Sequence, residues 1–343
     1  MLFKKSNIEF GGCLHFETML SDKSNGQYYE HFKNNKVDLD CGRSAIQYIL
    51  SNIEFNNLWL PVYNCPLVAD RIKTVFSINI KFYNINEEFF PLIDPRNIER
   101  NDVILWVNYF GVMPLHLINK IAQIKNKYNV NIIIDNIPAY FSEPIMDVFN
   151  IYSCRKFIGV PNGAHIITDK LCRKELQSFD TAEKYLYLLK AKESGSSHAY
   201  QDYLSCEKNF SISKTVYGMP KLTESILRSV DYDKIKIVRK TNFLYLHKYL
   251  KNINLLKNVD FNSDTPSVYP LLIVDKNLRK QLLSNNVFVS MFWKHVLSNP
   301  LSNSFEKVLA EYLIPLPIDQ RYNIGDMEIL VNIIKSQLNC LKN

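Results

Sequence analysis

The chain has 343 residues, 47% of them hydrophobic and 22% charged, which supports a sizeable core in two domains and excludes a disordered chain. Its net charge of +7 is scattered without a run of five like charges, so no nucleic-acid arm is indicated, and no apolar stretch reaches the ~20 residues that span a bilayer. None of the seven cysteines forms a C-x-x-C pair, the histidines lack metal-ligand spacing, and the first residues lack the apolar core of a secretion signal, so a cytoplasmic protein with no membrane association and no metal site is expected.

Residues 1–40 read as an approach segment with a turn at Phe10-Gly11-Gly12. A helix is expected within 41–50, with Ser44 as its N-cap and Ile46, Ile49 and Leu50 following at helical spacing. A glycine just before such a helix leaves backbone N–H groups and the positive end of the dipole open to a phosphate. Asn57 to Tyr63 reads as a strand interrupted by Pro61, followed by a helix over 66–76. Strands over 78–83 and 102–109 and a helix over 115–128 continue the alternation. Short apolar runs bounded by turn residues follow at Val130–Ile134, Phe149–Tyr152 and Ala164–Thr168. Strand and helix alternating this way predict an α/β fold with a mostly parallel, doubly wound sheet. Residues 190–214 are polar and weakly periodic and read as a mobile loop or lid. Beyond residue 221 the pattern changes to α+β. Helices are expected over 222–250 with a break at 231–233, over 278–284 and over 326–341, and strands over 267–274 and 288–292. The domains are therefore 1–221, a large domain, and 222–343, a small C-terminal one.

The run Val130–Ile134 ends on Asp135, and the run Phe149–Tyr152 ends on Ser153-Cys154-Arg155-Lys156. Ligands of open α/β sheets sit outside the carboxyl ends of the strands, so an acid and an amine arrive at the same edge. This pair suits pyridoxal 5′-phosphate (PLP). A lysine forms a Schiff base with its aldehyde, and an acid keeps the pyridine nitrogen protonated. Burial and neighbouring positive charge, such as Arg155, would lower the pKa of Lys156 as that role needs. The Ser153 hydroxyl is a candidate phosphate ligand.

The ordered set Cys41-Gly42-Arg43-Ser44-Ala45, Leu60-Pro61-Val62-Tyr63, Asn108-Tyr109-Phe110-Gly111, Ile134-Asp135, Ser153-Cys154-Arg155-Lys156, Pro161-Asn162-Gly163-Ala164 and Leu316-Pro317-Ile318-Asp319-Gln320-Arg321-Tyr322 resembles the DegT/DnrJ/EryC1/StrS family of PLP-dependent sugar aminotransferases. These are fold-type I enzymes of the aspartate aminotransferase superfamily. The resemblance implies a homodimer that takes an amino donor, glutamate, and a nucleotide-linked keto-sugar. It implies Lys156 as catalytic residue and Gly42, Arg43, Ser44, Tyr63, Cys65, Asp135 and Ser153 as cofactor contacts. Tyr109, Trp293, Arg321 and Tyr322 are candidates for the substrate side. The chain departs from the family pattern at three places. Pro138 stands where a Gln or His lies near the cofactor hydroxyl, Asn162 replaces an Asp, and Tyr217-Gly218-Met219-Pro220 lacks the Asn that reaches the neighbouring subunit. These departures keep open a lyase or dehydratase, or a non-catalytic regulatory subunit, on the same scaffold.

Overall fold

Each apolar run of the first half carries side chains that need cover on both faces, and a parallel sheet flanked by helices supplies that cover. The computed structural model of the protein describes residues 8–21, 26–112, 114, 116–170, 175–212, 214–257 and 265–339. In chain order the elements are β1 (Phe10–Gly11), β2 (Lys36–Leu39), α1 (Gly42–Leu50), β3 (Asn57–Pro61), α2 (Pro66–Val75), β4 (Asn79–Ile85), β5 (Pro91–Leu92), β6 (Val103–Val107), α3 (His116–Tyr128), β7 (Asn131–Asn136), β8 (Phe149–Ser153) and β9 (Ala164–Ile167). They continue with α4 (Leu186–Ser194), α5 (Ser196–Ile212), α6 (Lys221–Arg228), α7 (Tyr232–Leu250), β10 (Val268–Leu272), α8 (Leu278–Ser284), β11 (Val287–Phe288), α9 (Ser304–Tyr312), β12 (Leu313–Pro317) and α10 (Ile324–Asn339). Among the described residues no helix is long and apolar enough to cross a membrane.

The main sheet runs in the order β2-β9-β8-β7-β6-β3-β4-β5. Strands β8, β7, β6, β3 and β4 are parallel, whereas β9 is antiparallel to β8 and β2, and β5 to β4. From β3 the chain moves outward to β4 and then returns to the other side of β3 as β6. That reversal opens a crevice at the carboxyl ends of β3 and β6, beside β7 and β8. Alternate side chains go to opposite faces. On β6, Val103 and Leu105 pack with Ile46, Ile49 and Ile72 of α1 and α2. Ile104 and Trp106 face the cluster that holds Leu117 and Ile121 of α3 and Phe243 and Leu246 of α7. That cluster continues into the C-terminal half, where β10 and β12 pair antiparallel from Val268↔Pro317 to Leu272↔Leu313. The N-terminal segment also reaches this half, because β1 pairs in parallel with β11.

Several expectations change. Residues 190–214 belong largely to the helical pair α4 and α5, not to a loop. Only a few side chains anchor the pair, Tyr187, Leu188, Ala191, Ala199 and Cys206 among them, so its apolar periodicity is faint. Gly195, at φ +92°, makes the break between the two helices. The strand expected over 288–292 shrinks to Val287–Phe288, while α9, capped by a reciprocal Asn303–Glu306 box, had no counterpart in the sequence reading. Cys41, not Ser44, is the N-cap of α1, and Ser44 lies inside its first turn. Leu115, Leu341, Cys172 and Cys340 lie outside the described residues.

Candidate active site

Asp135 lies near the end of β7, in register with Val107 of β6 and Ile151 of β8. Its side chain is 5% exposed, and its carboxylate accepts a hydrogen bond from the Ile137 N–H at 2.9 Å. It makes no ion pair among the described residues. Burial pushes its pKa up to about 6, with the Ile137 N–H and the charge of Lys156 pulling the other way. Ser153 ends β8, and the chain turns through a short 3-10 helix, Cys154–Lys156. Gly163, at φ +109°, shapes the return. Its carbonyl accepts from the Cys154 N–H at 3.0 Å, and its own N–H donates to the Asp40 carbonyl at 2.7 Å. Behind this turn Cys154 Sγ lies 3.4 Å from His165 Nε2, and His165 Nδ1 lies 2.6 Å from Asp38 across the β2–β9 pair.

Lys156 is exposed and lines a recess. The surrounding mass and the charges of Arg155 and Arg43 lower its pKa to about 8, while Cys65 and Asp135 oppose that shift. The turn, the start of α1, the start of α2 and the end of β7 therefore act on one amine. The recess holds about 180 Å³ and is walled by Gly11 to Leu14 of the N-terminal segment, by Tyr187 and Tyr203 of the α4–α5 pair, and by Arg239 and Phe292 from the C-terminal half.

The residues expected to hold the cofactor converge only in part. Arg43 is half-buried at the start of α1, and its Nε has no hydrogen-bond partner among the described residues. The α1 N-terminus itself has no side-chain cap bond. A Cβ on Gly42 would lie 2.2 Å from Ile137 Cδ1, so a larger residue there would displace Ile137. Ser44 is buried, its hydroxyl 3.4 Å from Cys41 Sγ. Ser153 is also buried, its hydroxyl 3.4 Å from the Gly163 carbonyl. Cys65 is the N-cap of α2. Tyr63 is fully buried, its hydroxyl without a partner among the described residues and its ring set edge-on to Trp293 at 4.6 Å.

The four residues assigned to the substrate side are held by the protein itself. Tyr109 is 2% exposed and donates to the Tyr63 carbonyl at 2.6 Å. Trp293 has left-handed backbone, φ +56°, and packs against Tyr63 and Tyr109. Arg321 lines the recess, but its fork closes on Asp319 at 2.6 and 2.9 Å, and its Nη1 donates to the carbonyls of Gly11 and Cys13. Tyr322 accepts from the Gly11 N–H at 2.8 Å and donates to the Glu9 carbonyl at 3.1 Å. Arg321 and Tyr322 thus fasten the N-terminal segment that forms one wall. The sequence reading missed Arg239. It is buried, donates to the carbonyls of Phe157 (3.1 Å) and Ser267 (3.2 Å), and lies over the Phe157 ring. Midway along α7, it offered no local signal.

An acid and an amine on neighbouring strand ends, beside an uncapped helix N-terminus, can be compared with solved proteins. No family model matches this sequence, and no curated protein does. In structure, a DegT DnrJ EryC1 StrS aminotransferase from Brucella abortus is similar with a TM-score of 0.58, at 12% identity, over 92% of this chain and 91% of its own. This is the fold of the DegT/DnrJ/EryC1/StrS aminotransferases. PseC of Helicobacter pylori, an aminotransferase involved in the biosynthesis of pseudoaminic acid, is similar with a TM-score of 0.60 at 12% identity, over 96% of this chain and 99% of its own. The GDP-4-keto-6-deoxy-D-mannose-3-dehydratase of E. coli, solved with bound hydrated PLP, gives 0.59 at 12% identity, over 95% and 100%. At such identities the likeness is one of fold. The architecture is the fold-type I arrangement expected from the sequence.

Proposed function

We propose that the protein is a PLP-dependent aminotransferase that moves an amino group, from glutamate as donor, onto the keto carbon of a nucleotide-linked sugar. The observation that carries this reading is the placement of Asp135 near the end of β7 and of Lys156 just beyond the end of the adjacent parallel strand β8. The residues fit the cofactor. Asp135 is a buried carboxylate with one short donor and no ion pair among the described residues, as a partner of a protonated ring nitrogen should be. The uncapped α1 N-terminus suits a phosphate, with Arg43 and Ser44 in its first turn and Ser153 at the end of β8 as candidate ligands. Bound there, PLP supplies a ring that takes up electrons released from bonds at the carbon bearing the amino group.

This chain's residues do the rest. Lys156 Nζ would tether the cofactor and, once released, carry a proton to and from the reacting carbons. With a pKa of about 8 it has a larger neutral fraction near pH 7 than an ordinary lysine. Asp135 would hold a proton on the ring nitrogen. Tyr63 and Cys65 would bound the ring. The α4–α5 pair and the N-terminal segment would limit water at the amine. The same proposal includes domains at 1–221 and 222–343, a homodimer that completes each site, and action in the cytoplasm on amino-sugar precursors of surface polysaccharide.

Pro138 favours a second reading, because it has no N–H or side-chain donor for the cofactor hydroxyl. A divergent member that binds PLP without amino transfer, either a lyase or dehydratase or a regulatory subunit, is that alternative. Purified protein mixed with PLP should develop a visible absorbance band that Lys156→Ala loses, and glutamate should bleach the wild-type band. A wild type that stays colourless and indistinguishable from Lys156→Ala would sink both readings. A band that no amino donor bleaches would select the second.

A further inference from the structure

Helix α7 turns one apolar stripe inward, where Ile235, Phe243, Leu246 and Leu250 are buried in the core. Its outward face is not uniformly polar, as the solvent side of a packed helix ordinarily is. Lys234, Ile237, Lys240, Leu244, Lys248 and the C-cap Lys251 are all exposed, and steps of three or four residues put them on roughly one third of the circumference. Ile237 is 66% exposed and Leu244 46%, so two branched aliphatic side chains stand in water between cations. Between Asp233 and Asp260 the sequence holds seven Lys or Arg and no acid, so the segment carries one sign of charge only. Among the described residues no carboxylate pairs with Lys234, Lys240, Lys248 or Lys251. A row of cations without acids attracts an anionic partner, whereas aliphatic side chains set within it gain only from an apolar phase. A second copy related by a two-fold axis through this face would set lysine against lysine. Nucleic acid fits less well, because the exposed cations are all lysines and the side chains between them have no flat ring to stack on a base. A bilayer with anionic headgroups meets both needs, with phosphates for the lysines and the headgroup–acyl boundary for Ile237 and Leu244.

We infer that the outward face of α7 docks the protein on an anionic lipid surface. This is contact with one leaflet and needs no membrane-crossing helix. None of the six residues lines the Lys156 recess, so the inference stands apart from the function proposed above.

The test is co-sedimentation of the full chain with vesicles of mixed phosphatidylglycerol and phosphatidylcholine, against vesicles of phosphatidylcholine alone. The chain should sediment with the mixed vesicles and stay in solution with the neutral ones. Lys240→Gln combined with Lys248→Gln should weaken partitioning by about 25-fold, about fivefold for each lysine. Ile237→Ser combined with Leu244→Ser, which leaves the charge intact, should weaken it by about tenfold. The control is Lys73→Gln combined with Lys214→Gln. It removes the same charge from exposed lysines beside α2 and α1, on the other side of the sheet, and should leave partitioning nearly unchanged. All the substituted side chains are exposed, and urea midpoints check that each variant is folded. No sedimentation with the mixed vesicles, equal sedimentation with the neutral ones, or an equal loss from the control pair overturns the proposal. So does a serine pair that loses nothing, or capture by polyglutamate without capture by vesicles, which would assign the face to an acidic polypeptide.

Discussion

Two aspartates are buried in the parallel part of the main sheet, one at each end, and their surroundings differ. Asp102 precedes β6 at the amino edge and is fully buried. It accepts from the Asn57 N–H and side-chain amide (3.2 and 2.7 Å), from the Trp59 indole (2.7 Å) and from the Glu99 N–H (3.1 Å). Asp135, at the carboxyl edge of β7, accepts from one backbone N–H and is pushed up to about 6 by burial. An acid ringed by donors ties strands together. An acid left with spare lone pairs in a desolvated place is poised to take a partner from outside the chain. The burial is similar, and the number of donors separates the two roles.

The largest effect should come from breaking the satisfied end. Asp102→Ala strands an amide, an indole N–H and two backbone N–H groups, and should cost about 3–5 kcal/mol in urea unfolding. PLP affinity of the folded fraction should be unchanged. A loss of less than ~1 kcal/mol would show that these bonds are not what holds the edge.

The open end should respond to pH. Asp135 has a folded pKa of about 6 against roughly 3.9 in an unfolded chain. Between those values the folded state binds more protons, so stability falls as pH rises from about 4 to about 6, by up to ~3 kcal/mol, and the loss is complete above that window. Urea midpoints of the PLP-free protein should follow this slope, and Asp135→Asn should flatten it. Parallel slopes for the two proteins would remove the contrast between the aspartates.

The smallest effect is expected at Arg43. Arg43→Ala should weaken PLP by about tenfold through lost charge-assisted bonding to phosphate, while leaving pyridoxal, which has no phosphate, bound as before. Equal loss for both ligands would assign Arg43 to packing instead of to the phosphate.

The sheet was legible in the sequence wherever local pattern and tertiary need agreed. The runs ending at Asp135 and Ser153 are apolar on both faces because both faces are covered, and turn residues mark their ends. The α4–α5 pair was not legible, because its buried residues are few and spaced too irregularly to stand out from a polar background. Within the site, Asp135 and Lys156 were legible as residues of one edge because the first lies near the end of a strand and the second just beyond the end of its neighbour. Arg321 was legible as a candidate for the substrate side, but only the backbone turn decides that Asp319, two residues away, closes on its fork. Arg239 acts through carbonyls of Phe157 and Ser267, far from it in sequence, and no local spacing points to it.

Local chemistry by itself determined the strands, the glycine turns and the delivery of one acid and one amine to a common edge, because side-chain period and turn preference act over a few residues. Tertiary structure alone decided which polar groups find partners: Asp102 is surrounded by donors, Arg321 is locked, and Arg43 keeps a buried N–H with no partner among the described residues. Hydrogen-bond satisfaction depends on groups brought together from distant parts of the chain, and that pairing cannot be read from any one stretch of it.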